Sequence, residues 1–132
     1  MRKQVIYLLI LSILISSMRF ENLERVKQKL IFHRIKHVDI VMAQIRLETA
    51  NLTHRNYLEN NNLFGFKRNG KVMKFAKEDH SILRYKYDIQ AHYKGGDYYK
   101  FLQCMFKYKE NGTERCVSYC PESSYINKLK EF

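Results

Sequence analysis

The sequence has a single proline and five glycines in 132 residues, and no internal repeat or low-complexity linker interrupts it. That excludes a disordered or linker-rich chain, and 45% apolar residues with 14% aromatics are enough for one modest core. The chain is too short for a multi-domain enzyme, a nucleotide-binding fold with a second domain, or a polytopic membrane protein. Acid is scarce: 13 Asp and Glu stand against 24 Lys and Arg, a net charge of +11. Such a surface attracts anionic partners over a range that salt shortens. The cations are spread along the chain rather than gathered in one reading element, which argues against nucleic acid.

One long apolar run exists, at the start. Met1-Arg2-Lys3 is basic, Val5 to Ile15 is apolar apart from Ser12, and Ser16-Ser17-Met18 follows. This is the layout of a secretory signal, and the run is shorter than the ~20 residues of a spanning helix. Residues 1–18 are therefore expected to be a signal peptide or N-terminal anchor, and 19–132 an exported domain in the periplasm, wall or medium. The competing reading is a buried first helix. Any membrane contact is confined to the first segment, and a monomer is expected. Removing residues 1–18 takes away Arg2 and Lys3 and no acid, leaving +9.

Cysteine is also sparse. Cys104, Cys116 and Cys120 allow one disulfide and one free thiol after export, and their spacing does not choose the pair. Cys116 and Cys120 resemble half of a metal site, but no second Cys or His pair follows, so neither a metal nor another cofactor is expected.

Periodicity organises the rest. Leu23, Val26, Leu30 and Ile31 predict a helix over residues 21–36, and Val41, Met42, Ile45 and Leu52 a second from about 39 to 49, capped by Asp39. A polar loop follows from 51 to 62. Asn69-Gly70 predicts a tight turn between strands near 63–67 and 71–75. A third helix is expected from Ser81 to Tyr93, a fourth over 97–105 and a fifth over 121–130, giving an α+β, mainly helical domain.

Glu48 falls on the apolar side of the second helix, three residues after Ile45 and seven after Val41. A carboxyl there is either ion-paired or held protonated by its surroundings, and the second state suits a general acid.

The string Ala43-Gln44-Ile45-Arg46-Leu47-Glu48-Thr49-Ala50, followed by Asn61-Asn62-Leu63-Phe64-Gly65-Phe66-Lys67, resembles the glucosaminidase family of peptidoglycan hydrolases. That family carries A-Q-x-x-L-E-[ST]-[GA] and then N-N-L-F-G-[IMF]-K. Ser81-Ile82 with Tyr85, and the closing segment from Tyr119 to Lys130, extend the resemblance over residues 36–130. It implies a lysozyme-like fold with a helical core and a short β-hairpin lobe, and hydrolysis of the β-1,4 bond after N-acetylglucosamine in peptidoglycan strands. Glu48 would be the general acid, Asn61, Asn62, Phe64 and Gly65 would shape the cleft, and Tyr119 would line the sugar site.

The lobe is shorter than the family's, which normally carries a second carboxylate there. Glu78 and Asp79 are the candidates for that role, with Glu59 weaker, and a third route would use the substrate's own acetamido oxygen. His80 replaces an aromatic, and Thr49-Ala50 replaces the commoner Ser/Thr-Gly. The nearest alternatives are a muramidase or lytic transglycosylase on the same polymer, and a wall-binding protein that has lost turnover.

Overall fold

The computed structural model describes residues 1–132. Helix α1 (Arg2–Phe32) is unbroken, so the apolar start and the first amphipathic stretch form one helix. Its first twenty residues are exposed on every side, which rules out the buried-helix reading, whereas Val26 and Leu30 lie fully buried in the core. Helix α2 (Val38–Glu48) crosses the middle of the domain, with Val41, Met42, Ala43, Gln44 and Ile45 all buried. Its cap is His37, in the left-handed region at φ 52°, and Asp39 sits in the first turn instead. Leu52 is buried from the turn after α2, not from the helix itself.

The expected loop at 51–62 contains helix α3 (Arg55–Asn60), whose N-cap is His54; its ring accepts from the Asn56 N–H. Strands β1 (Lys67–Arg68) and β2 (Lys71–Val72) pair antiparallel across the Asn69-Gly70 turn, Lys67 opposite Val72 and Arg68 opposite Lys71. Both turn residues have positive φ, 51° and 75°, as a two-residue hairpin demands. Helix α4 (Glu78–Asp88) begins three residues before the expected Ser81 cap, and a 3-10 turn (Gln90–His92) follows. Asp97 caps α5 (Tyr98–Gln103), accepting from the Tyr99 and Lys100 N–H groups.

A second hairpin, β3 (Phe106–Glu110) and β4 (Thr113–Val117), turns at Asn111-Gly112. It is almost wholly exposed and is tied to the end of α5 by the Cys104–Cys116 disulfide, leaving Cys120 free. The chain closes with α6 (Tyr125–Lys130), which starts four residues after Pro121 and packs on α2. The fold is thus α+β and mainly helical, with two short hairpins.

A row of polar side chains crosses the apolar core. Gln44 donates to the Tyr125 hydroxyl (3.3 Å) and accepts from that of Tyr85 (2.5 Å). Tyr85 and Tyr98 share a hydrogen bond of 2.8 Å, and Gln90 donates to Tyr98 (2.8 Å) while bonding both backbone groups of Lys36. Every buried polar side-chain atom has a partner, as a polar core requires.

Candidate active site

Glu48 is the last residue of α2, and the chain reverses immediately after it. Thr49 is fully buried; its hydroxyl donates to the Ile45 carbonyl (2.6 Å) and accepts the Leu52 N–H (2.9 Å). Ala50, Asn51 and Leu52 then take left-handed backbone angles of 48°, 58° and 65°. This stops the helix abruptly and leaves the Glu48 carboxyl at its end rather than along its side. Arg46 secures the turn through the Asn51 side chain (2.8 Å).

Across from Glu48 stands the Leu63–Lys67 segment. Gly65 has φ +65°, and a Cβ built on it would lie 3.1 Å from Glu48 Oε2. A side chain here would be strained and would crowd the carboxyl, so this glycine keeps space open beside it. Phe64 is buried and stacks on Tyr85 (4.3 Å between centroids). The segment's backbone is fixed by Asn62, 2% exposed, whose amide nitrogen donates to the Phe66 and Met73 carbonyls (2.9 and 3.0 Å). Its amide oxygen accepts from the Phe66 N–H (3.0 Å).

Glu48, Phe64, Gly65, Phe66, Lys67 and Tyr119, with Ile89, Cys120 and Pro121, enclose a cleft of ≈ 460 Å³. Glu48 is its only carboxylate. Burial raises the Glu48 pKa above the ordinary carboxylate range; the Lys67 charge and the Tyr125 hydroxyl beside it act in the opposite sense. Burial likewise pushes the Tyr119 phenol well up, and its ring stacks on Tyr125 at 5.7 Å. Tyr119 is half-buried, with its hydroxyl 3.5 Å from the Phe64 carbonyl, so it braces the Gly65 segment from the far wall. A half-buried carboxyl biased toward its protonated form, in a groove lined by aromatic side chains, is equipped to donate a proton to a sugar oxygen.

The family model for glucosaminidase, described as mannosyl-glycoprotein endo-beta-N-acetylglucosaminidase, matches residues 24–132. The chain belongs to the glucosaminidase family. No curated protein and no solved structure matches it. Membership makes it a glycoside hydrolase that degrades peptidoglycan.

In this member of the family the sequence-derived residues divide in two. Glu48, Phe64, Gly65 and Tyr119 meet at the cleft. Asn61 and Asn62 do not present their amides to it. Asn61 ends α3 at φ 50° and donates to the Phe75 carbonyl (3.0 Å), so both asparagines hold the lobe by its backbone.

Glu78 and Asp79 are drawn to α1 instead of the cleft. Arg25 grips Glu78 with two bonds of 2.9 and 3.0 Å, and the Tyr57 hydroxyl adds a third at 3.0 Å. Lys29 (2.7 Å) and His33 (2.8 Å) hold Asp79 and lower its pKa to about 2. Glu59 is exposed and paired with Arg55. Lys67, Phe66 and Tyr125 were not singled out in the sequence, although Lys67 closes the N-N-L-F-G-x-K string and Tyr125 lies in the closing segment. No three His, Cys, Asp or Glu side chains converge as a metal site would require.

Proposed function

We propose that this chain is an endo-β-N-acetylglucosaminidase, cleaving the β-1,4 bond after N-acetylglucosamine in peptidoglycan with Glu48 as general acid. The observation that carries this is Glu48 itself: the sole carboxylate of the cleft, with its pKa raised by burial and open space kept beside it by Gly65. The protonated carboxyl gives its proton to the glycosidic oxygen as the C1–O bond breaks. With Glu78 and Asp79 held in ion pairs on α1, the single-carboxylate cleft favours assistance by the substrate. The acetamido oxygen bonds C1 as the leaving sugar departs. Glu48, now ionised, takes a proton from the water that attacks C1 and releases the acetamido group.

The exposed, apolar first half of α1, in a helix long and apolar enough to cross a membrane, supports export with this segment as signal or anchor. N-terminal sequencing of the exported protein distinguishes cleavage near Met18 from an intact anchor.

The test is reducing-end release from purified peptidoglycan by residues 19–132 and by Glu48→Gln, with products identified by mass. The expected result is N-acetylglucosamine at the new reducing end and a loss of about 10²–10⁴-fold in the variant. Reducing or anhydro muramic ends would instead indicate a muramidase or transglycosylase. Binding without release would indicate a wall-binding protein.

A further inference from the structure

Beyond Lys67, which faces Glu48, the first hairpin carries charges that breaking a sugar–sugar bond does not use. Between Lys67 and Lys77 the chain holds five cations, Lys67, Arg68, Lys71, Lys74 and Lys77, and no acid. All five are exposed, and none forms an ion pair, whereas the equally exposed Arg55, Lys107 and Arg115 are all paired. Like charges this close in sequence repel one another, at a cost to a hairpin whose strands are two residues long. An anion placed among them would reverse that cost.

The hairpin also has a place for one. Arg68, Lys71 and Lys74, with Asn69, Val72 and Met73, line a groove of ≈ 380 Å³. It belongs to the same lobe as the catalytic cleft: Lys67 of β1 lines the cleft, and Arg68, the next residue of that strand, lines the groove. The lobe is rigidly seated: Asn62 bonds the Met73 carbonyl, and the Met73 N–H donates to the Phe66 carbonyl (2.9 Å). A groove lined by one sign of charge beside a reaction cleft concentrates ligands of the opposite sign.

We propose that this groove is an anion subsite for the free carboxylates of the peptide stems borne by the glycan strand. It selects stem-bearing substrate and supplies affinity rather than bond cleavage. The inference rests on the reading of the cleft as a peptidoglycan hydrolase site.

The test is Arg68→Gln/Lys71→Gln/Lys74→Gln against the parent on three polymers: peptidoglycan with stems and attached phosphate polymers, peptidoglycan freed of phosphate polymers, and glycan strands freed of stems. On both stem-bearing polymers the apparent KM should rise roughly tenfold, each lost pair contributing a few-fold, with kcat within about twofold. The rise should fade with added salt. On stem-free strands parent and variant should agree, and the Arg68→Lys/Lys71→Arg/Lys74→Arg chain should behave as the parent. An equal rise on stem-free strands, no rise anywhere, or a rise confined to the phosphate-bearing polymer would overturn the assignment. Sedimentation of Glu48→Gln, with and without the triple change, on the same polymers reads the subsite without turnover. A parent that binds stem-bearing wall through these residues but releases no ends would defeat the hydrolase reading alone.

Discussion

Substituting Gly65 by Ala separates two costs that Gly112 can calibrate. Both glycines have positive φ, 65° and 78°, so an alanine at either meets the same backbone penalty of about 1–2 kcal/mol. For a domain of this size that lowers Tm by roughly 3–10 °C. The surroundings differ. At Gly112 nothing lies within 4 Å of the new methyl, whereas at Gly65 it meets Glu48 Oε2 at 3.1 Å, inside the ordinary contact range that begins at 3.4 Å. The carboxyl must retreat by about 0.3 Å, and since a 1 Å misplacement costs on the order of 100-fold, kcat should fall about three- to tenfold. The methyl also displaces water from the carboxyl, so the alkaline limb of the kcat/KM profile should move to higher pH. Gly112→Ala should lose comparable stability and keep the parent's kcat and profile. The assay is reducing-end release across pH, with thermal melts of both variants. A Gly65→Ala protein with parental kcat and an unmoved limb would refute the assignment of Gly65 as the residue that keeps room beside the acid.

Lys67 lowers the Glu48 pKa by its charge, so Lys67→Met should raise it further; because the acid works protonated, the alkaline limb of kcat/KM should shift upward. Asp79, depressed to about 2 by Lys29 and His33, stabilises the fold above its ordinary pKa of 3.8 and loses that contribution as pH falls toward 2. Melts of Asp79→Asn should lie below the parent's at pH 6, with the gap closing between about pH 4 and pH 2. The Cys104–Cys116 bridge closes twelve residues, and Cys104→Ser/Cys116→Ser should cost about 3 kcal/mol, roughly 10 °C in Tm, while Cys120→Ser leaves Tm unchanged.

What the sequence made legible follows from where the signal resides. The α2 helix, Glu48 on its inner side and the Asn69-Gly70 turn are local patterns, and periodicity and turn chemistry report them directly. Helix α3 escaped because six largely polar residues with only Tyr57 buried carry no measurable period. The β3–β4 hairpin escaped because almost every residue in both strands is exposed, so no apolar alternation marks it, although Asn111-Gly112 repeats the turn signal of the first hairpin. Glu78 and Asp79 were assigned toward the cleft on sequence position. Their partners Arg25, Lys29 and His33 lie about fifty residues upstream, and only the packing of α1 brings them together. The disulfide pairing likewise required the end of α5 to meet β4.

The row of Gln44, Tyr85, Tyr98 and Gln90 has a consequence for how this protein can change by descent. Each member satisfies another, so Gln44→Leu alone would leave the Tyr85 and Tyr125 hydroxyls short of a partner inside an apolar core. Apolar replacement of Gln44 is tolerable only in concert, with Tyr85→Phe and Tyr125→Phe arriving together, so the single step is deleterious where the combined change is closer to neutral. Gln44 lies one helical turn before Glu48, so the acid inherits this epistasis: a lineage that keeps the reaction must keep the row beneath it, while the exposed β3–β4 hairpin, Cys116 apart, is free to drift.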